Sequence, residues 1–193
     1  MEIRKARKTD DLKAIARLIY QTDPYIYPYW FEKTPKWEKF LVEKITERGF
    51  LFCLDNILVA TENGHIFGVL VYITVDTDLK YDYDKLKEVN RNFQFTIDRY
   101  VFPVIKHVRR GVVYIPNVCV EKKFRRQHIA SRLIEELKKQ YPKHILELDV
   151  LADNEAGIKL YHKEKFKKIV EIKGFNGPYK RKPRVWTMRC NLK

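Results

Sequence analysis

The sequence predicts a mixed α/β fold in which helices flank a sheet, and three observations predict it. Strand-like and helix-like segments alternate between residues 112 and 163. Pairs of strand-like segments stand towards both ends of the chain, at residues 50–75 and 166–191. Asn63-Gly64, a dipeptide typical of the tight turn of a β-hairpin, joins the first of these pairs.

Periodicity and turn residues predict the N-terminal elements. After a short strand near the N-terminus, Thr9 is the expected N-cap of a helix with apolar residues at helical spacing over 12–19. The aromatic, proline-punctuated segment 23–31 is expected to be a loop that packs in the core or binds an acceptor. A second helix around residues 37–45 is expected to end at Gly49.

The same criteria predict the rest of the chain. Hairpin strands are expected over residues 50–62 and 65–75, and a helical insertion over about 79–109 follows them. The remaining predicted elements are a strand at 112–120, a helix at 127–140, a strand at 144–151, a helix at 154–163 and strands at 166–174 and 184–191.

The composition indicates one globular domain over residues 1–193, insertion included. Hydrophobic residues make up 45% and aromatic residues 13% of the chain, which excludes global disorder. The longest apolar run is shorter than the roughly 20 residues that span a bilayer, and residues 1–11 lack the apolar stretch of a secretory signal. Three widely spaced cysteines indicate reduced thiols in a cytoplasmic protein and no metal site.

The chain is strongly basic, with 39 Lys and Arg residues against 25 Asp and Glu residues and a formal net charge of +14. Such a charge raises the local concentration of anions, whether nucleic acid, acidic lipid or a phosphorylated small molecule. The excess is spread along the chain, so charge alone does not choose between RNA and a nucleotide cofactor.

The segment 112–137 has the pattern of an anion-binding site. An apolar strand leads into a turn with Arg125 and Arg126, and the turn opens into an amphipathic helix with Ile129 and Leu133 facing inward. The first turn of a helix carries unpaired N–H groups at the positive end of the dipole, so it can hold a pyrophosphate. Neither GxxxxGK[ST] nor GxGxxG occurs, and an ordinary strand–helix connection with a solvated basic turn is the alternative.

A second segment, 150–166, follows the next strand, and the two segments together resemble the GCN5-related N-acetyltransferase (GNAT) family. The family's R/Q-x-x-G-x-G/A motif at a helix start corresponds to residues 125–130. Its N-x-x-A and LY-x-x-x-GF motifs correspond to Asn154 and to residues 160–166. The order of the N-terminal elements also agrees, so the resemblance covers nearly the whole chain.

Two positions depart from the family pattern. His128 stands where the first glycine usually lies, and Lys165 stands where a glycine usually precedes Phe166. If the backbone at His128 needs a positive φ or must approach the phosphate closely, its side chain can crowd that phosphate. We therefore expect a cofactor loop of slightly altered geometry.

The resemblance implies a largely antiparallel sheet of about six or seven strands with a splayed central pair. Pro116 lies in the middle of the predicted strand 112–120 and has no N–H to donate to a sheet ladder. This fits a bulge that parts the two central strands.

The resemblance also implies acetyl-CoA as a co-substrate, without a metal. The backbone of residues 118–120 would pair with the pantetheine arm, amides of residues 126–131 would hold the pyrophosphate, and Asn154 would hydrogen-bond the pantetheine, cap a helix, or do both. The implied cofactor-binding residues are Val118, Cys119, Val120, Arg125, Arg126, Gln127, His128, Ile129, Ala130, Ser131 and Asn154.

Two residues are the catalytic candidates. By the resemblance Tyr161 would protonate the departing CoA thiolate, and the alternative is a half-buried aromatic of a helix. Asp149 shares a strand face with Glu147 and lies five residues before Asn154, where family members that acetylate a ribosomal-protein N-terminus carry a Glu. It is the candidate general base, and a structural carboxylate is the alternative.

Other candidates for the chemistry are weaker. Glu62, His65 and Glu121 are each candidate bases, with less support than Asp149. Cys119 is disfavoured as a nucleophile because a cysteine in an apolar strand is usually an inert small hydrophobe.

The resulting hypothesis is a direct transfer of the acetyl group from acetyl-CoA to a primary amine of a small molecule or a protein N-terminus. Catalysis would come mainly from proximity and from a backbone amide that polarises the carbonyl group. The alternative is a non-catalytic module on the same fold that binds CoA or RNA through the basic surface of Lys180, Arg181, Lys182 and Arg184. A third hypothesis is acetylation of a ribosomal or other nucleic-acid-associated protein.

The expected partners are acetyl-CoA and the amine, with a second copy of the chain as a candidate and neither a membrane nor a nucleic-acid substrate. Carboxylates that could attract a cationic amine gather at the start of the insertion, although a solvated loop is the alternative. They are Asp76, Asp78, Asp82, Asp84 and Glu88.

Overall fold

The computed structural model describes residues 1–31, 36–48, 51–77, 109–173 and 183–192. Its strands are β1 (Glu2–Lys5), β2 (Ile57–Glu62), β3 (His65–Ile73), β4 (Val112–Val120), β5 (Ile145–Leu151), β6 (Lys167–Lys173) and β7 (Arg184–Asn191). They form one seven-stranded sheet in the order β1-β2-β3-β4-β5-β7-β6. Within it β4 and β5 are parallel and the other neighbours are antiparallel, which confirms the predicted mixed, largely antiparallel sheet.

Helices cover both faces of this sheet. The helices of the described residues are α1 (Leu12–Tyr20), α2 (Ile26–Trp30), α3 (Lys36–Thr46), α4 (Ile129–Gln140) and α5 (Glu155–Lys163). The first three pack on one face, in a core cluster with Ile15, Ile19 and Leu41 at its centre. On the other face α4 packs through Leu133 and Leu137 in a second cluster, against which α5 also packs.

The two central strands separate halfway along their length. Residues 112–115 of β4 pair with residues 145–148 of β5, and the pairing stops there. Pro116 follows directly and cannot donate to the ladder. On the other side of β4, residues 71–73 of β3 face residues 114–117, so β4 carries an extra residue and bulges. The predicted bulge and the splayed central pair are confirmed.

Two predictions for the N-terminal region are wrong. The N-cap of α1 is Asp11 and not Thr9, because the Asp11 carboxylate accepts a hydrogen bond of 3.0 Å from the Ala14 amide. Segment 23–31 is not a continuous loop but contains α2. Pro28 is tolerated in α2 because it lies in the first turn, where its missing N–H would have no intrahelical partner.

The remaining described elements agree with the predictions to within a few residues, except at the start of β2. That strand begins at Ile57 rather than at residue 50, because a short 3₁₀ turn at Leu54–Asn56 precedes it. The hairpin turn itself is confirmed, since Asn63 and Gly64 have φ angles of 50° and 80°.

Several predictions fall on residues that the structure does not describe. The helical insertion expected over about 79–109 is among them, apart from Arg109. So are the following single residues: Gly49, Asp78, Asp82, Asp84, Glu88, Lys180, Arg181 and Lys182. Within the described ranges, no helix is both long enough and apolar enough to cross a bilayer.

The end of α5 explains why a glycine suits position 165. The amide of Phe166 donates to the Tyr161 carbonyl at 2.9 Å and the amide of Lys165 to the His162 carbonyl at 3.0 Å, which is the Schellman pattern of helix termination. That pattern needs a left-handed residue, and Lys165 adopts a φ of 68°. Phe166, only 1% exposed, then enters the core.

Replacing Lys165 with Gly is therefore expected to stabilise the protein. A left-handed backbone costs a non-glycine residue about 1–2 kcal/mol, and the greater freedom of glycine in the unfolded chain offsets about 0.5–1 kcal/mol of the gain. We expect the melting temperature to rise by about 2 °C in thermal unfolding followed by circular dichroism. Lys165→Ala, which removes the same charge without relieving the backbone, should show no such rise. A fall in the melting temperature of Lys165→Gly would contradict this account.

Candidate active site

A cavity of about 950 Å³ opens where β4 and β5 separate. It is lined by β4, the turn after β4, the first residues of α4, the end of β5, α5, and the segment after α1. Its volume lies in the range of about 300–1,000 Å³ that is usual for small-molecule sites.

One end of the cavity is formed by the turn that leads into α4. Arg125 donates from Nε to the Val120 carbonyl at 3.0 Å and so ties the turn to the end of β4. Arg126 and His128 both have left-handed backbones, with φ angles of 63° and 59°. No side chain of the described residues caps α4 at His128, so the first amides of this 12-residue helix keep their donors for a ligand.

The floor of the cavity is the part of β4 beyond the bulge. Residues 118–120 line the cavity and pair on their other side with residues 68–70 of β3. Because β5 no longer pairs with β4 here, one edge of this strand faces the gap between the central strands. An extended ligand can therefore take the place of a neighbouring strand.

Asn154 lies at the start of α5 on the cavity wall. Its Oδ1 accepts a hydrogen bond of 3.0 Å from the Gly157 amide and caps the helix, as one of its two predicted roles requires. A Cβ atom at Gly157 would come within 2.8 Å of the Asn154 Nδ2, so the Asn154 side chain would have to shift if position 157 carried a larger residue.

Tyr161 lies further along α5, also on the cavity wall. Burial raises the pKa of its phenol to about 12, so the hydroxyl keeps its proton at neutral pH. Its ring packs edge-on against Phe166, with 5.8 Å between the centroids. Among the described residues no hydrogen bond engages this hydroxyl, which leaves it able to donate to a ligand.

Leu148 and Val150 are buried on one face of β5, and the Asp149 side chain lies on the other face, as the strand alternation predicts. The Thr187 hydroxyl donates to its Oδ1 at 2.6 Å, and the Tyr114 hydroxyl donates to its Oδ2 at 3.1 Å. Burial raises the pKa of the Asp149 carboxyl, although both hydrogen bonds oppose the rise.

Asp149 does not line the cavity, and neither does its hydrogen-bond partner Tyr114. The Tyr114 phenol has a pKa well above its ordinary value, chiefly through burial and then through the Asp149 charge. Tyr161 lies close enough to Tyr114 to add to this rise. Of these three groups, only Tyr161 lines the cavity.

The other candidate bases lie away from the cavity lining. His65 and Glu121 pair with each other, with 2.9 Å between Nε2 and Oε2. Glu62 is exposed at the end of β2. Cys119 lines the cavity, but burial raises the pKa of its thiol to about 11, which disfavours the nucleophilic thiolate.

The segment after α1 also contributes to the cavity, where Thr22 and Tyr25 line it. This segment is tied to β4 by Asn117, whose amide donates to the Thr22 hydroxyl at 2.6 Å and to the Tyr27 hydroxyl at 3.0 Å. Tyr25 is half exposed, whereas Tyr27 and Phe31 are buried. The aromatic segment therefore contributes to both the cavity and the core.

The profile of the acetyltransferase (GNAT) family matches residues 15–166. The chain belongs to the GNAT family. An N-alpha-acetyltransferase of Saccharolobus solfataricus is 26% identical over 177 residues, which are 90% of this chain and 84% of that protein. The resemblance drawn from the two motif segments is confirmed.

Solved structures agree with this GNAT fold. An N-acetyltransferase from Staphylococcus aureus superposes with a TM-score of 0.73 at 21% identity, over 98% of this chain and 100% of the other. An aminoglycoside 6′-N-acetyltransferase in complex with coenzyme A superposes with a TM-score of 0.61 at 13% identity, over 100% of this chain and 98% of the other. At these identities the likeness concerns the fold.

The cavity of this GNAT protein has the features that CoA needs. An uncapped helix start with Arg125 and Arg126 offers donors and positive charge to phosphate, and the free edge of residues 118–120 offers backbone groups to an extended amide-containing arm. Among the described residues, no group of three or more His, Cys, Asp or Glu side chains could hold a metal ion.

The cavity brings together most of the site residues expected from the sequence. Those on its wall are Val118, Cys119, Val120, Arg125, Arg126, His128, Ile129, Ala130, Ser131, Asn154 and Tyr161. Gln127 is exposed, and neither Gln127 nor Asp149 lines it.

Sequence reasoning missed Tyr114 and Thr187 around Asp149 and the two lysines of α5, Lys159 and Lys163, on the cavity wall. A usable signal lies in the sequence of β7, where Val185, Thr187 and Arg189 alternate with Trp186, Met188 and Cys190. Thr187 and Arg189 stand directly opposite Asp149 and Glu147 in the β5–β7 ladder.

Proposed function

We propose that this GNAT protein transfers the acetyl group of acetyl-CoA to the α-amino group of a polypeptide N-terminus. One observation carries the proposal: a cavity at the separation of β4 and β5 has a cationic, uncapped helix start at one end, and Tyr161 and Thr22 on its walls. Acetyl-CoA supplies the activated acetyl group, and the protein supplies positioning and proton transfer.

Asp149 is the base of this proposal. Its buried carboxylate binds a proton more tightly than an exposed aspartate does, because burial raises its pKa. Neither Asp149 nor Tyr114 lines the cavity, so a proton from the acceptor amine reaches the carboxylate through a water molecule or through the Tyr114 phenol that is hydrogen-bonded to it. Thr187 holds the other carboxylate oxygen and keeps the group oriented.

Tyr161 is the acid of this proposal. Its pKa of about 12 keeps it protonated, and its hydroxyl has no hydrogen-bond partner among the described residues. It can therefore give a hydrogen bond or a proton to the thiolate that leaves when the acetyl group moves to the amine.

The charge of the cavity argues for an acceptor with a single amine. Five cationic or titratable basic residues line it, whereas Asp153 is the one carboxylate residue on its wall within the described part of the chain. The basic residues are Arg125, Arg126, His128, Lys159 and Lys163. The phosphates of acetyl-CoA would offset much of this positive charge, so the carboxylates decide: a polycationic acceptor needs several of them, whereas a peptide presents one α-amine.

The protonation of the acceptor argues in the same direction. An α-amino group has a pKa near 7.7–8.0, so roughly a tenth of it is neutral at pH 7, against well below a thousandth of a lysine side chain. A carboxylate base such as Asp149 therefore has to remove a proton from a smaller fraction of α-amines than of lysine side chains. The N-alpha-acetyltransferase relative, matched over 90% of this chain, supports the same acceptor class.

A panel of matched acceptors tests the acceptor class. One peptide has a free N-terminus and no lysine, a second has a blocked N-terminus and one lysine, and the third acceptor is a polycationic aminoglycoside. With acetyl-CoA, we expect thiol release only with the first, and mass spectrometry should place the acetyl group on its α-nitrogen. Equal or faster acetylation of the blocked peptide or of the aminoglycoside would contradict the proposal.

A further inference from the structure

His128 and Lys163 meet at the cavity wall. The Lys163 Nζ lies 3.2 Å from the His128 Nδ1. His128 precedes the first residue of α4 and Lys163 is the last residue of α5, so the contact joins the ends of the two helices. Both side chains are exposed and both line the cavity.

The chemistry of the two groups determines the direction of this hydrogen bond. A lysine ammonium has three donors and no acceptor, so Lys163 donates and the Nδ1 of His128 accepts. The imidazole is then neutral with its proton on Nε2. The pair retains one N–H on His128 and two on Lys163, and these donors lie on the same cavity wall as Arg125 and Arg126.

Within the part of the chain that the structure describes, Lys163 also lacks a carboxylate partner, which surface lysines often have. Lys159, one turn earlier on α5, lies instead 3.8 Å from Glu155. The charge of Lys163 therefore remains available for an anion in the cavity.

His128 holds its position against backbone strain. Its φ of 59° and ψ of 13° are left-handed, a conformation that glycine adopts without penalty. Lys165 has similar strain, with a φ of 68°, but its side chain makes no hydrogen bond or ion pair among the described residues. A residue that combines a strained backbone with a side chain in contact with a cavity lysine indicates a functional role for that side chain.

We propose that His128 and Lys163 form a phosphate clamp on CoA, which we call the His–Lys clamp. His128 holds the Lys163 ammonium at the start of α4, and the remaining N–H groups of the pair donate to phosphate oxygens of the ligand. The proposal rests on the proposed function, because it takes CoA as the ligand. The phosphate belongs either to the pyrophosphate or to the 3′-phosphate of the adenosine.

The test measures two properties of each variant, the affinity for CoA and the melting temperature of the free protein. If the clamp exists, His128→Gly should raise the melting temperature and weaken CoA binding. His128→Gly relieves the backbone, so its melting temperature without ligand should rise by about 2 °C. It also releases Lys163, so calorimetry should show about five- to tenfold weaker CoA binding. Lys165→Gly is the matched control, with a similar rise in melting temperature and an unchanged affinity for CoA.

A second variant ties the effect to the pair. Lys163→Gln should weaken CoA binding about five- to tenfold, and adding His128→Gly to it should weaken binding by less than His128→Gly does in the wild-type protein. Lys167→Gln, which removes one charge from exposed β6, should leave the affinity unchanged. Dephospho-CoA identifies the phosphate: loss of the Lys163→Gln effect assigns the clamp to the 3′-phosphate, and its persistence assigns the clamp to the pyrophosphate.

Two results would overturn the clamp. One is tighter or unchanged CoA binding by His128→Gly, which would mean that the imidazole only occupies the place of a glycine. The other is wild-type affinity in Lys163→Gln. Failure of the wild-type protein to bind CoA at all would instead overturn the proposed function.

Discussion

Replacing Asp149 with Asn is expected to lower kcat by about 100- to 1,000-fold, within the range that general acid–base catalysis usually contributes. An amide cannot take a proton from the acceptor amine. It can still accept from the Thr187 hydroxyl and donate to the Tyr114 oxygen, so the local packing is retained. Steady-state kinetics with a saturating peptide acceptor provide the measurement.

Stability and pH dependence separate loss of chemistry from loss of fold. Because burial raises the Asp149 pKa, the folded chain binds this proton more tightly than the unfolded chain. Asp149 therefore lowers the free energy of unfolding as the pH rises through its raised pKa, and at pH 7 its charge opposes folding. Asp149→Asn should then melt at the same or a higher temperature at pH 7. The wild-type rate should rise with pH through the raised pKa, and the variant should lose this dependence.

Glu147→Gln is the matched control, because Glu147 lies two residues away on the same face of β5. Its carboxylate pairs with Arg189, whose Nε donates at 2.7 Å, and Glu147 does not line the cavity. Its removal should leave kcat within about twofold of the wild type. An Asp149→Asn variant as active as Glu147→Gln would show that Asp149 is only a structural carboxylate.

The Tyr161→Phe variant is expected to lower kcat by about 10- to 100-fold. The effect lies at or below the lower end of acid–base contributions because a thiolate, whose parent thiol has a pKa of about 8.5, already leaves readily. The ring and its contact with Phe166 remain, so the affinity for acetyl-CoA and the melting temperature should stay nearly unchanged.

Tyr141→Phe serves as the control for Tyr161→Phe. Burial also raises the pKa of Tyr141 to about 12, but this residue does not line the cavity. Removal of the Tyr141 hydroxyl should leave kcat at the wild-type value. If kcat of Tyr161→Phe equals the wild-type value where chemistry limits the rate, Tyr161 is a packing residue and water protonates the thiolate.

The cofactor side of the cavity could be predicted from the sequence because it is local. Residues 118–131 form one strand, one turn and one helix start, so their order along the chain already places them together. Helical and strand periodicity also predicted which side chains are buried, as for Ile129 and Leu133 in α4.

The surroundings of Asp149 could not be predicted because they depend on sheet register. Thr187 reaches it across the β5–β7 ladder and Tyr114 from the parallel neighbour β4. The bulge at Pro116 then shifts the alternation, so that Asn117 and Cys119 face the same side as Tyr114. A strand pattern without its partners does not contain this information.

The contact of His128 with Lys163 was hidden for a similar reason. The two residues are 35 positions apart and meet only because α4 and α5 pack on the same face of the sheet. The family pattern marked positions 128 and 165 as unusual, and the left-handed backbones at both explain the glycine preference. It did not indicate that one of the two side chains would contact a cavity lysine.

The most direct test of the central claim is a single reaction of the wild-type protein with acetyl-CoA that carries an isotope-labelled acetyl group and a peptide with a free N-terminus. Free thiol and labelled peptide are measured together by a thiol reagent and by mass spectrometry. We predict one labelled acetyl group on the α-nitrogen for each thiol released, with no label on the protein. Binding of acetyl-CoA without transfer to the peptide, or label on Cys119 before transfer, would contradict direct acetyl transfer in this cavity.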